Sequence, residues 1–213
     1  MIALFNWFTK ITAWPVQKLC FRTKIHYENK AVQGRHIHGP AIVVSNHTSV
    51  YDYAVMLFVF YSRTLRYQMA EILFRRPFLG LFLKQLGGIY VDRDSRNFDF
   101  LRVSEEILKK GGVVGVFPES RLPDPGEATP LPFKSSVTFL ALSAQVPIIP
   151  VYTNGSYFKR QRAEVIIGEP IDVFSLLDPA LDDKANLGRI TEALRRNIIR
   201  LGEILHERSG EKA

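Results

Sequence analysis

Short apolar runs rich in β-branched residues alternate along the chain with longer segments of helical periodicity. The strand-like runs are residues 41–45, 88–91, 113–117, 147–153 and 164–167. The helix-like segments are residues 50–61, 72–85, 97–109, 135–144 and 185–207. A helix between two strands carries the chain back to the same edge of a sheet, so such strands pair mainly in parallel. The alternation therefore predicts an α/β fold with a mixed, largely parallel sheet flanked by helices.

The composition fits one globular domain with an N-terminal extension. Of the 213 residues, 46% are hydrophobic and 23% are charged, which excludes a disordered or low-complexity chain. The single cysteine, Cys20, cannot form an internal disulfide, as is typical of a reducing compartment, and no Cys/His spacing resembles a zinc site. We predict an amphipathic membrane-interface segment over residues 1–22 and a single domain over residues 23–213.

The formal charge of +7 is concentrated in the first two-fifths of the chain. Residues 1–84 hold 11 lysines and arginines against three acidic residues, whereas residues 85–213 hold 17 against 18. Such an asymmetry predicts an anionic partner on one side of the molecule, either nucleic acid or a phospholipid surface.

The N-terminal segment favours the phospholipid surface. Its aromatic residues are Phe5, Trp7, Phe8, Trp14 and Phe21. Asn6, Lys10 and Gln17 share one side of a helical wheel, opposite much of the apolar set, and Pro15 is expected to end or kink the helix. The segment lacks the basic start of a signal peptide, and no run of about 18 apolar residues exists to span a membrane.

Two structures are open for this segment: an amphipathic helix docked on the core, and an interfacial membrane anchor. The aromatic residues are followed closely by Lys18, Arg22 and Lys24. Aromatic side chains at the interface and cations near anionic headgroups together favour the anchor.

A histidine and an aspartate follow the first strand-like run, in Asn46-His47-Thr48-Ser49-Val50-Tyr51-Asp52. A histidine there can take a proton from a substrate hydroxyl near neutral pH, and a carboxylate on its other ring nitrogen would fix its tautomer. Residues five apart lie about 140° apart on a regular helix, so His47 and Asp52 pair only across an irregular turn. The alternative is an ordinary loop histidine and a helix-start acid favoured by the helix dipole.

A second polar cluster follows the strand-like run 113–117, in Phe117-Pro118-Glu119-Ser120-Arg121. Glu119 could accept a substrate hydroxyl, and Arg121 could meet a phosphate. The alternative is an exposed Glu–Arg pair of little consequence. The run 88–91 similarly delivers Arg93 to its end, beside Asp92 and Asp94.

Four ordered blocks resemble the glycerolipid acyltransferase family, typified by 1-acylglycerol-3-phosphate (lysophosphatidic acid) acyltransferases. The blocks are Asn46-His47-x-x-x-x-Asp52, Gly88-x-Tyr90-x-x-Arg93, Phe117-Pro118-Glu119 and Val146-Pro147-Ile148-Ile149-Pro150. The resemblance runs from about residue 25 to residue 172. The chain departs from the family after Glu119, where Ser120-Arg121 replaces Gly-Thr-Arg, so that the arginine comes one position early. This shift makes Lys134 a candidate partner or substitute for Arg121.

The resemblance implies the roles of the site residues. It implies that His47 is the general base and that Asp52 orients it. It implies that Arg93, with Arg121 or Lys134, holds the acceptor phosphate. The remaining residues expected at the substrate site are Asn46, Phe117, Pro118 and Glu119. No metal or bound cofactor is expected, because a thioester cosubstrate, acyl-CoA or acyl carrier protein, is already activated.

The expected reaction is acylation of the sn-2 hydroxyl of 1-acylglycerol 3-phosphate, giving phosphatidic acid. Glycerol 3-phosphate and another lysolipid are the alternative acceptors. The non-enzymatic alternative is a basic nucleic-acid-binding domain, but the sequence shows no recognised module of that kind, and we expect no nucleic-acid partner. We expect an enzyme associated peripherally or monotopically with the cytoplasmic face of an anionic membrane.

Overall fold

A seven-stranded sheet organises the computed structural model, which describes residues 1–92, 98–158 and 162–210. The strands are β1 (Lys24–Tyr27), β2 (Ala41–Ser45), β3 (Leu65–Ala70), β4 (Ile89–Val91), β5 (Val113–Val116), β6 (Ile148–Thr153) and β7 (Glu164–Ile167). The helices are α1 (Ile2–Val16), α2 (Asp52–Val59), α3 (Glu71–Phe74), α4 (Pro77–Leu86), α5 (Asp99–Lys109), α6 (Ser136–Ala144) and α7 (Asp183–Gly210). A π-helical turn (Gln17–Phe21) follows α1, and a short 3₁₀ turn (Phe174–Leu176) precedes α7.

The strand order is β1-β7-β6-β2-β5-β3-β4. Only the β6–β7 pair is antiparallel among these neighbours, which confirms the predicted mixed, largely parallel sheet. The central strand β2 reads Ala-Ile-Val-Val-Ser and is buried throughout. A continuous apolar run of this kind is what a parallel strand covered on both faces requires.

Each face of the sheet has its own apolar core. Val43 of β2 packs with Met56 and Phe60 from α2 and the residue after it. Its neighbours Ile42 and Val44 point to the opposite core, built with α5, α6 and α7. Successive strand residues face opposite sides, so one short strand supplies both cores and fixes the helices that flank the site.

Two strands and one helix break lie outside the predicted pattern. Strands β1 and β3 were not predicted, and the single helix expected over 72–85 is two helices, α3 and α4. The break falls at Pro77, whose ring disfavours helical geometry at Arg76, and Arg76 adopts an extended conformation with ψ of 116°.

Helix α1 docks on the domain through its polar side. Asn6, Lys10 and Gln17 are buried, whereas the apolar side is exposed. The Lys10 Nζ donates to the carbonyl oxygens of Tyr61 (3.0 Å) and Arg63 (2.7 Å) beyond α2. The exposed apolar residues are Leu4, Trp7, Phe8, Ile11, Trp14, Val16 and Leu19. Pro15 was expected to end or kink the helix. It does not end it, because α1 continues through Pro15 into the π-helical turn.

The predicted membrane anchor is not tested by this packing. Helix α1 contacts α4 and α2, and Phe21 enters the main core beside Tyr157. Within the described residues, no helix combines the length and hydropathy needed to cross a bilayer.

Candidate active site

The carboxyl ends of β2, β5 and β6 meet at one edge of the sheet, because these neighbouring strands run in parallel. Asn46 joins two of them. Its Nδ2 donates to the Thr153 carbonyl and its Oδ1 accepts from the Thr153 backbone N–H, both at 2.9 Å. The buried Asn46 amide therefore fixes the start of the loop that carries His47.

His47 and Asp52 pair across the irregular turn that their spacing requires, in the arrangement that the family resemblance implies. The loop turns back so that His47 Nδ1 lies 2.8 Å from Asp52 Oδ2, and the buried Asp52 is the first residue of α2. Oδ2 also accepts the backbone N–H groups of Thr48 and Ser49, while Oδ1 accepts the Thr48 hydroxyl and, at 2.6 Å, the Tyr157 hydroxyl. A carboxylate among donors only accepts, so Nδ1 carries the proton and Nε2 is the basic nitrogen.

Tyr157 remains a hydrogen-bond donor in this arrangement. Burial and the adjacent Asp52 carboxylate raise the pKa of Tyr157 well above its usual value. Its oxygen also lies 2.9 Å from the Thr153 hydroxyl, so Tyr157 links the end of β6 to Asp52.

An aromatic stack holds the imidazole from one side. The His47 ring lies flat on Phe117, with centroids 4.3 Å apart and an interplanar angle of 11°. Phe117 in turn stacks on the buried Tyr67 at 4.8 Å. Together with the Nδ1 bond, the stack restricts ring rotation and keeps Nε2 in one direction.

Glu119 links two loops from a buried position. Its Oε1 accepts the His47 backbone N–H at 2.7 Å, and its Oε2 accepts that of Leu131 at 2.6 Å. Burial raises the pKa of Glu119, although these two hydrogen bonds oppose the shift. The structure thus gives Glu119 two backbone partners that order the loops around His47.

His47 opens onto a cavity of about 730 Å³. One wall is apolar and comes mainly from the segments β3 to α5: Met69, Leu73, Leu79, Leu83, Phe98 and Phe100. Pro118, Ser120 and Lys134 line the cavity beside Phe117. Among the described residues, no group of three or more His, Cys, Asp or Glu side chains converges to hold a metal ion.

The three predicted cationic residues have different positions. Lys134 lines the cavity, is exposed, and forms no ion pair within the described part of the chain. Arg121 is engaged elsewhere, with its guanidinium bound to both carboxylate oxygens of Glu127 at 2.8 and 2.5 Å and near Asp124 at 3.5 Å. Arg93 lies outside the described residues.

Ser120 occupies the position where the resembled family has glycine. Its φ of 61° lies in the left-handed region that favours glycine, and a residue with a side chain there carries strain of about 1–2 kcal/mol. The altered block therefore keeps a glycine-like backbone, while the Ser120 side chain is added to the cavity wall.

The residue that sequence reasoning missed is Tyr157. It lies 105 positions from Asp52 and belongs to none of the recognised blocks. A signal existed, because Asn154-Gly155-Ser156-Tyr157 follows β6 at the edge of the sheet where functional side chains gather.

The chain is similar in sequence to known acyltransferases. Residues 22–154 match the family model described as Acyltransferase. The human 1-acyl-sn-glycerol-3-phosphate acyltransferase beta is 30% identical over 153 residues, covering 70% of this chain and 54% of that protein. The 1-acyl-sn-glycerol-3-phosphate acyltransferase of Bacillus subtilis (strain 168) is 27% identical over 139 residues, covering 63% of this chain and 67% of that protein.

A solved structure shares the fold. The crystal structure of the 1-acyl-sn-glycerophosphate (LPA) acyltransferase from Thermotoga maritima superposes with a TM-score of 0.63 at 23% identity, over 94% of this chain and 79% of that one. The match to the human relative spans about half of that protein's length.

Proposed function

The chain belongs to the acyltransferase family, and from that premise we propose that it acylates the free sn-2 hydroxyl of 1-acylglycerol 3-phosphate to give phosphatidic acid. The donor is a fatty acyl thioester, either acyl-CoA or acyl carrier protein. The observation that carries the proposal is the His47–Asp52 pair at 2.8 Å, opening onto a cavity with an apolar wall and the cation of Lys134. The names of the relatives support the choice of acceptor.

The chemistry is a direct acyl transfer. His47 Nε2 removes the proton of the acceptor hydroxyl as its oxygen attacks the thioester carbonyl carbon. The C–O bond forms, the C–S bond breaks, and the leaving thiolate takes the proton back from the imidazolium. Asp52 stabilises the imidazolium between the two proton transfers. No acyl group is placed on the protein in this scheme.

Lys134 is the acceptor-phosphate ligand that the geometry favours. Lys134 lines the cavity, and its ammonium group forms no ion pair with a carboxylate of the described residues. Arg121 would have to leave Glu127 before it could bind phosphate, and each charge-assisted bond is worth about 1.5–3 kcal/mol. Arg93 keeps the role that the family resemblance implies, as a second phosphate ligand.

The apolar wall suits the acyl chains. Met69 and Leu73 follow the chain from β3 into α3, and Leu79 and Leu83 project from α4 into the same cavity. A wall of aliphatic side chains gains free energy from each methylene that it removes from water, about 0.8 kcal/mol.

The same helix α4 connects the cavity to the surface proposed to meet the membrane. Its residues Phe78, Leu81 and Phe82 are exposed, and Phe82 packs edge-to-face on Phe5 of α1 at 5.7 Å. The exposed apolar sides of α1 and α4 are therefore continuous, and α4 forms part of the cavity wall. This continuity supports peripheral or monotopic docking on the cytoplasmic face of an anionic membrane, where a lysolipid reaches His47 from the bilayer.

A matrix of donors and acceptors tests the proposal. Palmitoyl-CoA and palmitoyl acyl carrier protein are each offered with 1-oleoylglycerol 3-phosphate, glycerol 3-phosphate and 1-oleoylglycerophosphocholine, and products are identified by mass spectrometry. We expect phosphatidic acid as the main product with at least one donor. The 2-deoxy analogue of 1-oleoylglycerol 3-phosphate, which lacks the accepting hydroxyl, is the matched control and should give none.

Two outcomes would contradict the proposal. Preferential acylation of glycerol 3-phosphate or the choline lysolipid would show that the acceptor is wrong. Failure of every donor–acceptor pair would count against acyl transfer itself.

A further inference from the structure

A second cavity of about 700 Å³ lies where α1 and the π-helical turn meet the end of α2. Among the described residues it shares no lining residue with the cavity at His47. Its size is that of a small-molecule site.

The charge of this cavity is of one sign. Five cationic residues line it: Lys10, Lys18, Arg22, Arg35 and Arg162. None of the described lining residues is acidic. Cations gathered without a counter-charge repel one another and raise the local concentration of anions.

Two of the five cations are already used in holding the fold. Lys10 donates to the carbonyl oxygens of Tyr61 and Arg63. Arg35 donates to the Val59 and Phe58 carbonyl oxygens at 2.8 and 2.6 Å, at the C-terminal end of α2. These contacts fix the back of the cavity.

The other three cations are available to a ligand. Lys18, Arg22 and Arg162 are exposed and form no ion pair within the described ranges. They come from the π-helical turn, the residue that ends it, and the approach to β7. Two segments that are distant in sequence thus place their charges around one opening.

Tryptophans form the apolar part of the wall. Trp7 and Trp14 line the cavity and are 48% and 55% exposed, and the Lys18 ammonium lies 5.5 Å from the Trp14 ring centroid. Both belong to the exposed apolar side of α1. Tryptophan beside lysine or arginine is the pattern found at the level of lipid headgroups.

We infer that this cavity binds the headgroup phosphate of an anionic phospholipid from the bilayer, with Lys18, Arg22 and Arg162 as ligands and the two tryptophans against the glycerol and upper acyl region. The inference rests on the proposed membrane docking and does not need acyl transfer. A concave cavity beside an apolar helix face fits a single amphiphile better than the convex surface of an acidic protein.

Intrinsic fluorescence tests the site directly, because the chain has two tryptophans and both line this cavity. The full chain is titrated with dihexanoyl phosphatidic acid, a soluble lipid, below its micelle concentration. We expect a saturable change in tryptophan emission. The triple variant Lys18→Gln, Arg22→Gln, Arg162→Gln should bind about tenfold more weakly, since each lost cation weakens attraction to the phosphate.

The matched control removes the same charge elsewhere. The control is a triple variant of three exposed cations outside the cavity: Lys110→Gln, Lys184→Gln and Arg196→Gln. Its affinity for dihexanoyl phosphatidic acid should lie within about twofold of the wild-type affinity. Equal binding by the two triple variants would overturn the inference. So would equal binding of dihexanoyl phosphatidylcholine, which has no net charge.

Two further probes separate the sources of negative charge. If inorganic phosphate alone gives the same emission change at the same concentrations, the cavity is a free-phosphate site and the lipid assignment is wrong. If acyl carrier protein changes the emission and the lipid does not, the surface docks a protein. The fluorescence titration needs no turnover, so its result does not depend on whether the donor–acceptor matrix detects acyl transfer.

Discussion

Five hydrogen bonds converge on the Asp52 carboxylate, and this is what turns a loop histidine into a candidate base. The donors come from the His47 ring, from Thr48 and Ser49, and from Tyr157 in a distant loop. A carboxylate held this firmly fixes both the tautomer and the direction of the imidazole.

Tyr157→Phe removes one donor from Asp52 without changing the shape of the core. The carboxylate then has one hydrogen-bond donor fewer and interacts more strongly with the His47 imidazolium. We expect the acid limb of the kcat/KM–pH profile to move to higher pH, with a several-fold lower rate from looser positioning. The measurement is the pH profile of acyl transfer.

Tyr67→Phe is the matched control for this profile. Tyr67 is buried near Asp52, and its hydroxyl has no hydrogen-bond partner in the described residues. Its removal should leave the acid limb in place. An equal shift in both variants would mean that Tyr157 does not act through its hydrogen bond.

Lys134 and Arg121 differ in whether their charge is already neutralised. Lys134→Ala should raise the apparent KM for a phosphate-bearing acceptor about tenfold or more, because one charge-assisted bond is lost. Arg121→Ala should have a smaller effect, since Glu127 holds its guanidinium. Steady-state kinetics with acceptor and donor varied separately checks this order. A larger acceptor effect in Arg121→Ala would contradict it.

At the scale of elements, α1 is unusual because its polar side faces the protein. Lys10 must leave water to reach the carbonyl groups beyond α2, and burial lowers the pKa of Lys10 to about 8. Such a helix docks through specific polar contacts and leaves an apolar surface uncovered.

Lys10→Met tests this packing through the pH dependence of stability. Between about pH 8 and pH 10.5, unfolded Lys10 holds more protons than folded Lys10, so the wild-type free energy of unfolding rises with pH across this window relative to the variant. The loss of two hydrogen bonds lowers the stability of the variant by a constant amount. Urea unfolding from pH 7 to pH 10.5 measures the difference, and parallel curves would contradict a buried Lys10.

Elements with strong local signals were predictable. Strands β2, β5 and β6 are continuous apolar runs, and their predicted bounds differ by at most one residue at either end from those observed. Strand β3 alternates buried and half-buried residues, and this period-two signal in Leu-Arg-Tyr-Gln-Met-Ala was missed. Strand β1 is four half-buried residues at the sheet edge that pair with β7, 140 positions later, so no local pattern marks it.

The candidate site also has a part that could be expected from the sequence and a part that could not. The His47–Asp52 pair was expected from the family resemblance, and it forms across a local turn of five residues after β2. The support from Tyr157 and the use of Glu119 as a link between backbone groups depend on contacts of 72 to 105 positions in separation. Chain geometry at that range is set by the sheet order and cannot be read from spacing.

At the scale of the whole molecule, the exposed apolar sides of α1 and α4 form one surface. Helix α4 also lines the cavity at His47. A triple variant of α1 should weaken binding to anionic vesicles about 100-fold, because each side chain that enters the interface contributes about 1 kcal/mol. Its substitutions are Leu4→Gln, Phe8→Gln and Ile11→Gln. Sedimentation with vesicles measures the affinity, and added salt should reduce it only in part.

The control for vesicle binding is a second set of exposed apolar residues outside that surface. The control is a triple variant in which three exposed residues before α7 are changed: Phe174→Gln, Leu177→Gln and Leu181→Gln. It should leave vesicle affinity nearly unchanged. Equal losses in both triple variants would remove the membrane-facing role from α1.

We propose His47 as the base for acyl transfer, and the rate of the His47→Ala variant is the sharpest test of that role. The initial rate of phosphatidic acid formation from an acyl thioester and 1-acylglycerol 3-phosphate is compared among wild type, His47→Ala and His38→Ala, an exposed histidine in another loop. We predict that His38→Ala keeps the wild-type rate and that folded His47→Ala loses up to about 10⁴-fold. A folded His47→Ala protein with most of the wild-type rate would show that His47 is not the base.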